Sequence, residues 1–250
     1  MVGLGQLLFR FRNGVFPLVV IIAVLGGTPR YLVGDPLADS WMDALGALIA
    51  VLGLVVRGLT VGLEYIVRGG RSHQVYADRL VTGGVYAYTR NPMYLGNGLI
   101  TLGIAMILNS PIIYVLCLPL AALAYAAIIA AEEHYLRQKF GSEFDEYCGK
   151  VPRLIPHLGG LTRPAGDARF NWRRLIVKEY GTIFATLLAV FLATFWDDYR
   201  ILGPAALPSS QLIVLCLSPL VIFYVLAWVL KKTHILVADG PVSASDKRTS

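Results

Sequence analysis

Charged side chains are scarce in this chain. They make up 15% of its 250 residues, against 56% hydrophobic ones, and the mean hydropathy is +0.62. A soluble domain carries about a quarter charged residues, so the shortage excludes an ordinary soluble protein and puts the chain in a bilayer. Cysteine is sparse as well: Cys117, Cys148 and Cys216 are odd in number and scattered, which argues against a disulfide framework. His73, His134, His157 and His234 lack metal-ligand spacing, and neither H-E-x-x-H nor C-x-x-C occurs, so no metal site is expected. Gly3-x-Gly5 follows no strand, which excludes the soluble doubly wound nucleotide-binding class. No basic cluster stands clear of the apolar segments, so the net charge of +6 points to anionic lipid headgroups rather than nucleic acid.

What the chain has is long apolar runs. A membrane helix needs roughly 17–25 mainly apolar residues, and six runs qualify or come close: 15–32, 41–67, 93–108, 112–131, 180–196 and 212–230. The expected fold is all-α, a polytopic membrane helical bundle of about six transmembrane helices. The first run holds Pro17 and has a short core, but Thr28-Pro29-Arg30 is a poor cleavage site, so it reads as a span rather than a signal peptide. Arg30 and Arg200 fall on one side and Arg57 inside a span; every other Lys and Arg falls on the opposite side. Asp35, Asp39, Asp43, Asp197 and Asp198 share the side of Arg30. The basic side is expected to be cytoplasmic, with both termini. Three parts are expected: a membrane core (1–158, with a cytoplasmic helix over 132–148), a linker with a basic amphipathic segment and two further spans (159–238), and a disordered tail (239–250).

Only Asn109-Ser110-Pro111 separates the third run from the fourth, which predicts an antiparallel helical hairpin over about 92–131. The hairpin returns Glu132-Glu133 to the face where Arg90 sits. Asn91 suits an N-cap and Pro92 the first helical position, so the positive end of a helix adjoins Arg90, ready for an anion. Further on, Val151-Pro152-Arg153-Leu154-Ile155-Pro156 cannot be regular helix, because each proline biases its predecessor to extended geometry. That stiff loop holds Arg153 near the same mouth, where a guanidinium can orient an anionic group.

These blocks, in this order, resemble the isoprenylcysteine carboxyl methyltransferase and phospholipid methyltransferase family of integral membrane enzymes. The resemblance covers about residues 80–156. It rests on Leu80-Val81-Thr82-Gly83-Gly84-Val85-Tyr86, Arg90-Asn91-Pro92-Met93-Tyr94-Leu95-Gly96, Glu132-Glu133, and Tyr147 with Val151-Pro152-Arg153-Leu154-Ile155-Pro156. One departure is Asn91, where the family usually has a histidine, so no titratable group is expected there near neutral pH. The resemblance implies S-adenosylmethionine as methyl donor and a lipid-like or prenylated small-molecule acceptor, carboxylate or amine, reached from the membrane at the cytoplasmic face. No nucleic acid and no obligate protein partner are implied. Val81, Gly83, Gly84, Tyr86, Arg90, Tyr94, Gly96, Glu132 and Glu133 are the expected cofactor-binding residues. Arg90 and Arg153 are the expected catalytic ones, and Arg153 with Tyr147 would meet the substrate.

Plainer readings stand beside these. Arg90 suits a positive-inside position, Tyr86, Tyr88 and Tyr94 suit an aromatic belt, and Arg153 suits headgroup snorkelling. Glu133 and Arg137, at i and i+4, suit an ordinary helix ion pair. Arg57 and Glu64, two turns apart in the second run, suit polar helix contacts as well as function. Two other functions fit less of the chain. A sterol- or steroid-reductase-like NADPH enzyme shares an Arg-x-Pro-x-Tyr-x-Gly block but usually follows it with glutamate where Asn97 stands. A small transporter has only Pro119 and Pro219 to suggest broken helices.

Overall fold

A computed structural model describes residues 35–64, 79–156, 170–206 and 210–236. Six α-helices and no strand occur among the described residues: α1 (Pro36–Leu63), α2 (Pro92–Leu108), α3 (Leu118–Phe140), α4 (Ser142–Lys150), α5 (Trp172–Leu202) and α6 (Ser210–Lys232). Pro36–Leu63, Ile113–Phe140, Trp172–Leu202 and Gln211–Lys232 are long and apolar enough to cross a membrane. These four coincide with the runs expected around 41–67, 112–131, 180–196 and 212–230. The run at 93–108 is α2, whose 17 residues reach about 26 Å at 1.5 Å per residue, slightly short of a hydrocarbon core of about 30 Å. The span expected at 15–32, the linker at 159–167 and the tail at 239–250 lie outside the described residues.

Local chemistry sets the helix ends. Asp35 caps α1 by accepting the Leu37 N–H at 3.0 Å, with Pro36 in the first turn. Asn109 closes α2 in the left-handed conformation, φ 32°. Pro119 has no N–H to offer Val115, and the turn before it widens into a π segment, Ile113–Cys117. Asn171 caps α5 through the Arg174 N–H at 2.9 Å, while its own N–H donates to the Gly62 carbonyl at 2.9 Å. The expected amphipathic segment 171–178 is thus the opening of α5 rather than a separate element.

The most extensive helix contact is α1 against α2, not the two arms of the α2–α3 hairpin. Glycines explain it. A Cβ on Gly46 would lie 2.6 Å from the Gly103 carbonyl oxygen, and one on Gly53 would lie 2.6 Å from that of Gly96. The two pairs run antiparallel, and small residues at matching turns let the backbones touch, the usual basis of helix association in lipid. Gly53→Val is expected to destabilise by about 1–3 kcal/mol through overpacking, read as a lower unfolding midpoint in detergent; an unchanged midpoint would contradict this account of the interface. Helix α5 packs across α1 and α2, and α6 lies on α5. Leu48, Leu52 and Val55 of α1 and Leu215, Ile222 and Leu226 of α6 point outward, as lipid-facing residues should.

Two small clusters of buried side chains mark opposite ends of the bundle. Ala105, Ile107, Leu108, Ile113 and Ala193 fill one. Leu136, Phe144, Tyr147 and Val151 fill the other and seat α4 beneath the loop that carries Arg153.

Candidate active site

Three segments meet beside the start of α2: the turn over 79–91, the C-terminal half of α3, and the loop over 151–156. The loop is sewn to the residues before α2. The Arg90 N–H donates to the Pro152 carbonyl at 2.9 Å, Thr89 Oγ1 to the Leu154 carbonyl at 2.9 Å, and Asn91 Nδ2 to the Arg153 carbonyl at 3.0 Å. Those bonds fix where Arg153 can reach.

Glu133 is the hub. Its carboxylate lies 2.9 Å from Arg153 Nη2 and 3.4 Å from Arg90 Nη1, and accepts from Asn91 Nδ2 at 3.3 Å. Glu133 and Arg90 are largely buried, whereas the Arg153 side chain is 47% exposed. A carboxylate held among donors this way offsets its desolvation by pairing. Arg90 Nη1 also reaches Cys148 Sγ at 2.7 Å, but the buried Arg90 Nε has no hydrogen-bond partner. On the next α3 position Glu132 accepts from the Tyr94 hydroxyl at 2.7 Å, and the Tyr94 ring leans on Tyr125 with centroids 6.0 Å apart.

The floor is aromatic and tight. Tyr147 Oη donates to the Tyr86 carbonyl at 2.7 Å, tying α4 to the short 3-10 turn Gly84–Ala87. Gly84 has φ +55°, a conformation that favours glycine. Glu64, at the end of α1, lies against the same turn: a Cβ on Gly83 would be 3.2 Å from Glu64 Oε1. Val81, Tyr86, Arg90, Glu133, Phe144 and Tyr147 help line a cleft of about 10 Å³, room for about one water.

The structure therefore gathers Val81, Tyr86, Arg90, Glu133 and Tyr147 around one cleft. Arg153 touches Glu133, and Tyr94 and Glu132 pair beside it. Gly83 and Gly84 share the turn but face Glu64. Gly96 does not join them: a Cβ there would meet Arg57 Cγ at 2.6 Å and the Gly53 carbonyl at 2.8 Å, a close approach to α1. Two expectations are corrected. Asn91 occupies the N-cap position without a side-chain cap bond; its Nδ2 donates instead to Glu133 and the Arg153 carbonyl, which sets the direction of the side chain. Arg137 pairs with Asp145 at 2.7 Å rather than with Glu133, since α4 brings a carboxylate within reach.

Sequence reasoning set Arg57 and Glu64 aside as possible helix contacts of one span, and passed over Glu179. In the structure Glu64 lies 3.7 Å from Arg79. Arg57 instead makes a bidentate pair with Glu179 of α5, Nε to Oε2 and Nη2 to Oε1 both at 2.9 Å, and donates to Asn97 Oδ1. The signal available was a lone arginine deep in an apolar run, which demands a partner. Glu179 stands just before the fifth run as drawn and read as a polar flank.

Comparison with known proteins follows the same lines. The profile of the family described as phospholipid methyltransferase matches residues 41–143. The nickel-cobalt-cadmium resistance protein NccN of Alcaligenes xylosoxydans xylosoxydans is 31% identical over 159 residues, which cover 62% of this chain and 69% of that protein. Protein-S-isoprenylcysteine O-methyltransferase B of Arabidopsis thaliana is 32% identical over 131 residues, 46% of this chain and 60% of that one. The Xenopus laevis protein-S-isoprenylcysteine O-methyltransferase is 32% identical over 131 residues, covering 49% of this chain but only 43% of the frog enzyme. No solved structure matches significantly.

Proposed function

The chain belongs to the isoprenylcysteine carboxyl methyltransferase and phospholipid methyltransferase family and is a membrane methyltransferase, and on that premise we propose that it moves the methyl group of S-adenosylmethionine to a carboxylate or amine of a lipid-like substrate at the cytoplasmic face. The observation that carries this reading is Glu133 held between Arg90 and Arg153 with Arg90 Nε buried and unpartnered. S-adenosylmethionine presents a carboxylate, an ammonium and ribose hydroxyls, and the donor set fits them: Arg90 Nε for the carboxylate, Glu132 as acceptor for N–H or O–H groups. Tyr86 and Tyr94 offer ring faces for a cation, worth about 0.5–2 kcal/mol.

When bound, the cofactor supplies an electrophilic methyl group on a sulfonium. The protein's own residues then align and shield. Glu133 fixes both guanidiniums, Tyr147 and Tyr86 brace the turn, and the 151–156 loop holds Arg153 beside Glu133. The half-exposed Arg153 orients an anionic group of the acceptor. A carboxylate acceptor needs no base; an amine must lose a proton, and in this reading a glutamate takes it. The basic residues at this end, Arg137, Lys139 and Lys150 among them, support a cytoplasmic orientation.

The test uses the purified chain in lipid nanodiscs with methyl-labelled S-adenosylmethionine. One arm offers a farnesylated cysteine analogue, a carboxylate; the other offers phosphatidylethanolamine, an amine. Label in either lipid supports the reading and names the acceptor, and label in neither with folded protein contradicts it. In the productive arm, Arg153→Ala is expected to raise KM for the acceptor about 10–100-fold, the loss of a hydrogen bond to a charged group, with cofactor affinity little changed. The kinship with a protein named for nickel-cobalt-cadmium resistance favours a second reading, in which the same methyl transfer serves tolerance of those metals. Comparing metal sensitivity of cells with and without the gene decides it.

A further inference from the structure

The other end of the bundle holds a group of side chains that methyl transfer does not use. Asp39 and Asp43 stand on the first turns of α1, and Asp197 near the end of α5. One carboxylate oxygen from each lies within 4.8 Å of the others. Asp39 is 4% exposed and Asp197 1%. Both oxygens of Asp197 and Oδ1 of Asp43 are buried and meet no hydrogen-bond donor from outside the cluster, and among the described residues no ion pair reaches either side chain. Carboxylates gathered at that depth with no cationic side chain paired to them are costly, and a fixed counter-ion is a standard remedy. Asp39 is held in place from behind. Asn109 Nδ2 donates to its Oδ1 at 3.0 Å, and the Tyr114 hydroxyl donates to Asn109 Oδ1 at 3.2 Å.

We propose that Asp39, Asp43 and Asp197 bind a divalent cation between α1 and α5, at the end of the bundle away from Glu133. The spacing fits, because oxygens that share a Ca²⁺-like ion at about 2.3–2.6 Å lie at most about 5 Å apart. An all-oxygen donor set selects hard ions such as Mg²⁺, Mn²⁺ or Ca²⁺ over thiophilic ones. Three carboxylates leave coordination positions for water. The ion would tie the end of α5 to the start of α1, as the Arg57–Glu179 pair ties these two helices nearer their other ends.

The experiment titrates Mn²⁺ into the purified full chain in nanodiscs and reads free Mn²⁺ by electron paramagnetic resonance. Wild type is expected to bind one ion per chain, displaced by Ca²⁺ or Mg²⁺, with a rise in unfolding midpoint. Asp197→Asn is expected to weaken binding at least tenfold and to lose the Mn²⁺-dependent rise, while Glu146→Gln, an exposed control, keeps both. Asp43→Asn, at a less buried position, serves if Asp197→Asn does not fold. No Mn²⁺ binding by wild type, or equal binding by wild type and the folded Asp variants, overturns the site and leaves a cluster neutralised by protons.

Discussion

Glu133→Ala is expected to lower methyl transfer by roughly a hundredfold or more and to weaken S-adenosylmethionine binding with it. The reason is electrostatic. The substitution leaves two guanidiniums, Arg90 and Arg153, converging on a space with no carboxylate. Neither guanidinium is then held for its ligand; a hydrogen bond to a charged group is worth about 1.5–3 kcal/mol, two such contacts are loosened, and about 1.4 kcal/mol is a factor of ten in rate. Asn91 would lose an acceptor as well, and the Arg153 loop would keep only the bonds that residues 89–91 donate to its carbonyls. Glu133→Gln keeps an oxygen without the charge and should fall between the two. Initial rates with labelled cofactor check the order; a Glu133→Ala enzyme near the wild-type rate would remove Glu133 from the site.

The second large effect is on stability. Arg57→Ala strands the Glu179 carboxylate between helices, where it is 5% exposed. A loss of about 3–5 kcal/mol is a large part of the 5–15 kcal/mol that typically holds a domain together, so the variant should unfold at a markedly lower temperature in detergent. Asn97 and Thr182 lose a donor in the same step. The double variant Arg57→Met with Glu179→Met removes both charges and fills the volume, and it should recover most of the loss. If single and double variants unfold alike, the pair is not what fastens α5 to α1.

What could be read from the sequence, and what could not, follows from range. The helical hairpin was legible because its signals are local: two apolar runs, an Asn-Ser-Pro break, and a proline at the first position of α2. The meeting of Arg90 with Glu133 followed from hairpin length alone, and the stiff 151–156 loop from its prolines. The partner choices did not follow. Glu133 turned from Arg137, one helical turn away, to Arg90 and Arg153, because the loop after α4 folds back onto residues 89–91. Gly96 read as room for a ligand, yet helix contacts in lipid use glycine for the same closeness, and only the position of α1 distinguishes the two uses. Glu179 was missed because the run was drawn to begin one residue later, which made a buried carboxylate look like a flank. Pairings between distant helices are set by packing that a single sequence does not display.

The most direct test of the methyltransferase site is calorimetric titration of S-adenosylmethionine into the folded chain, wild type beside Arg90→Ala and Glu132→Ala. The account predicts micromolar binding by wild type and its loss in both variants. Absence of binding by folded wild type, or affinity unchanged by the variants, would contradict it.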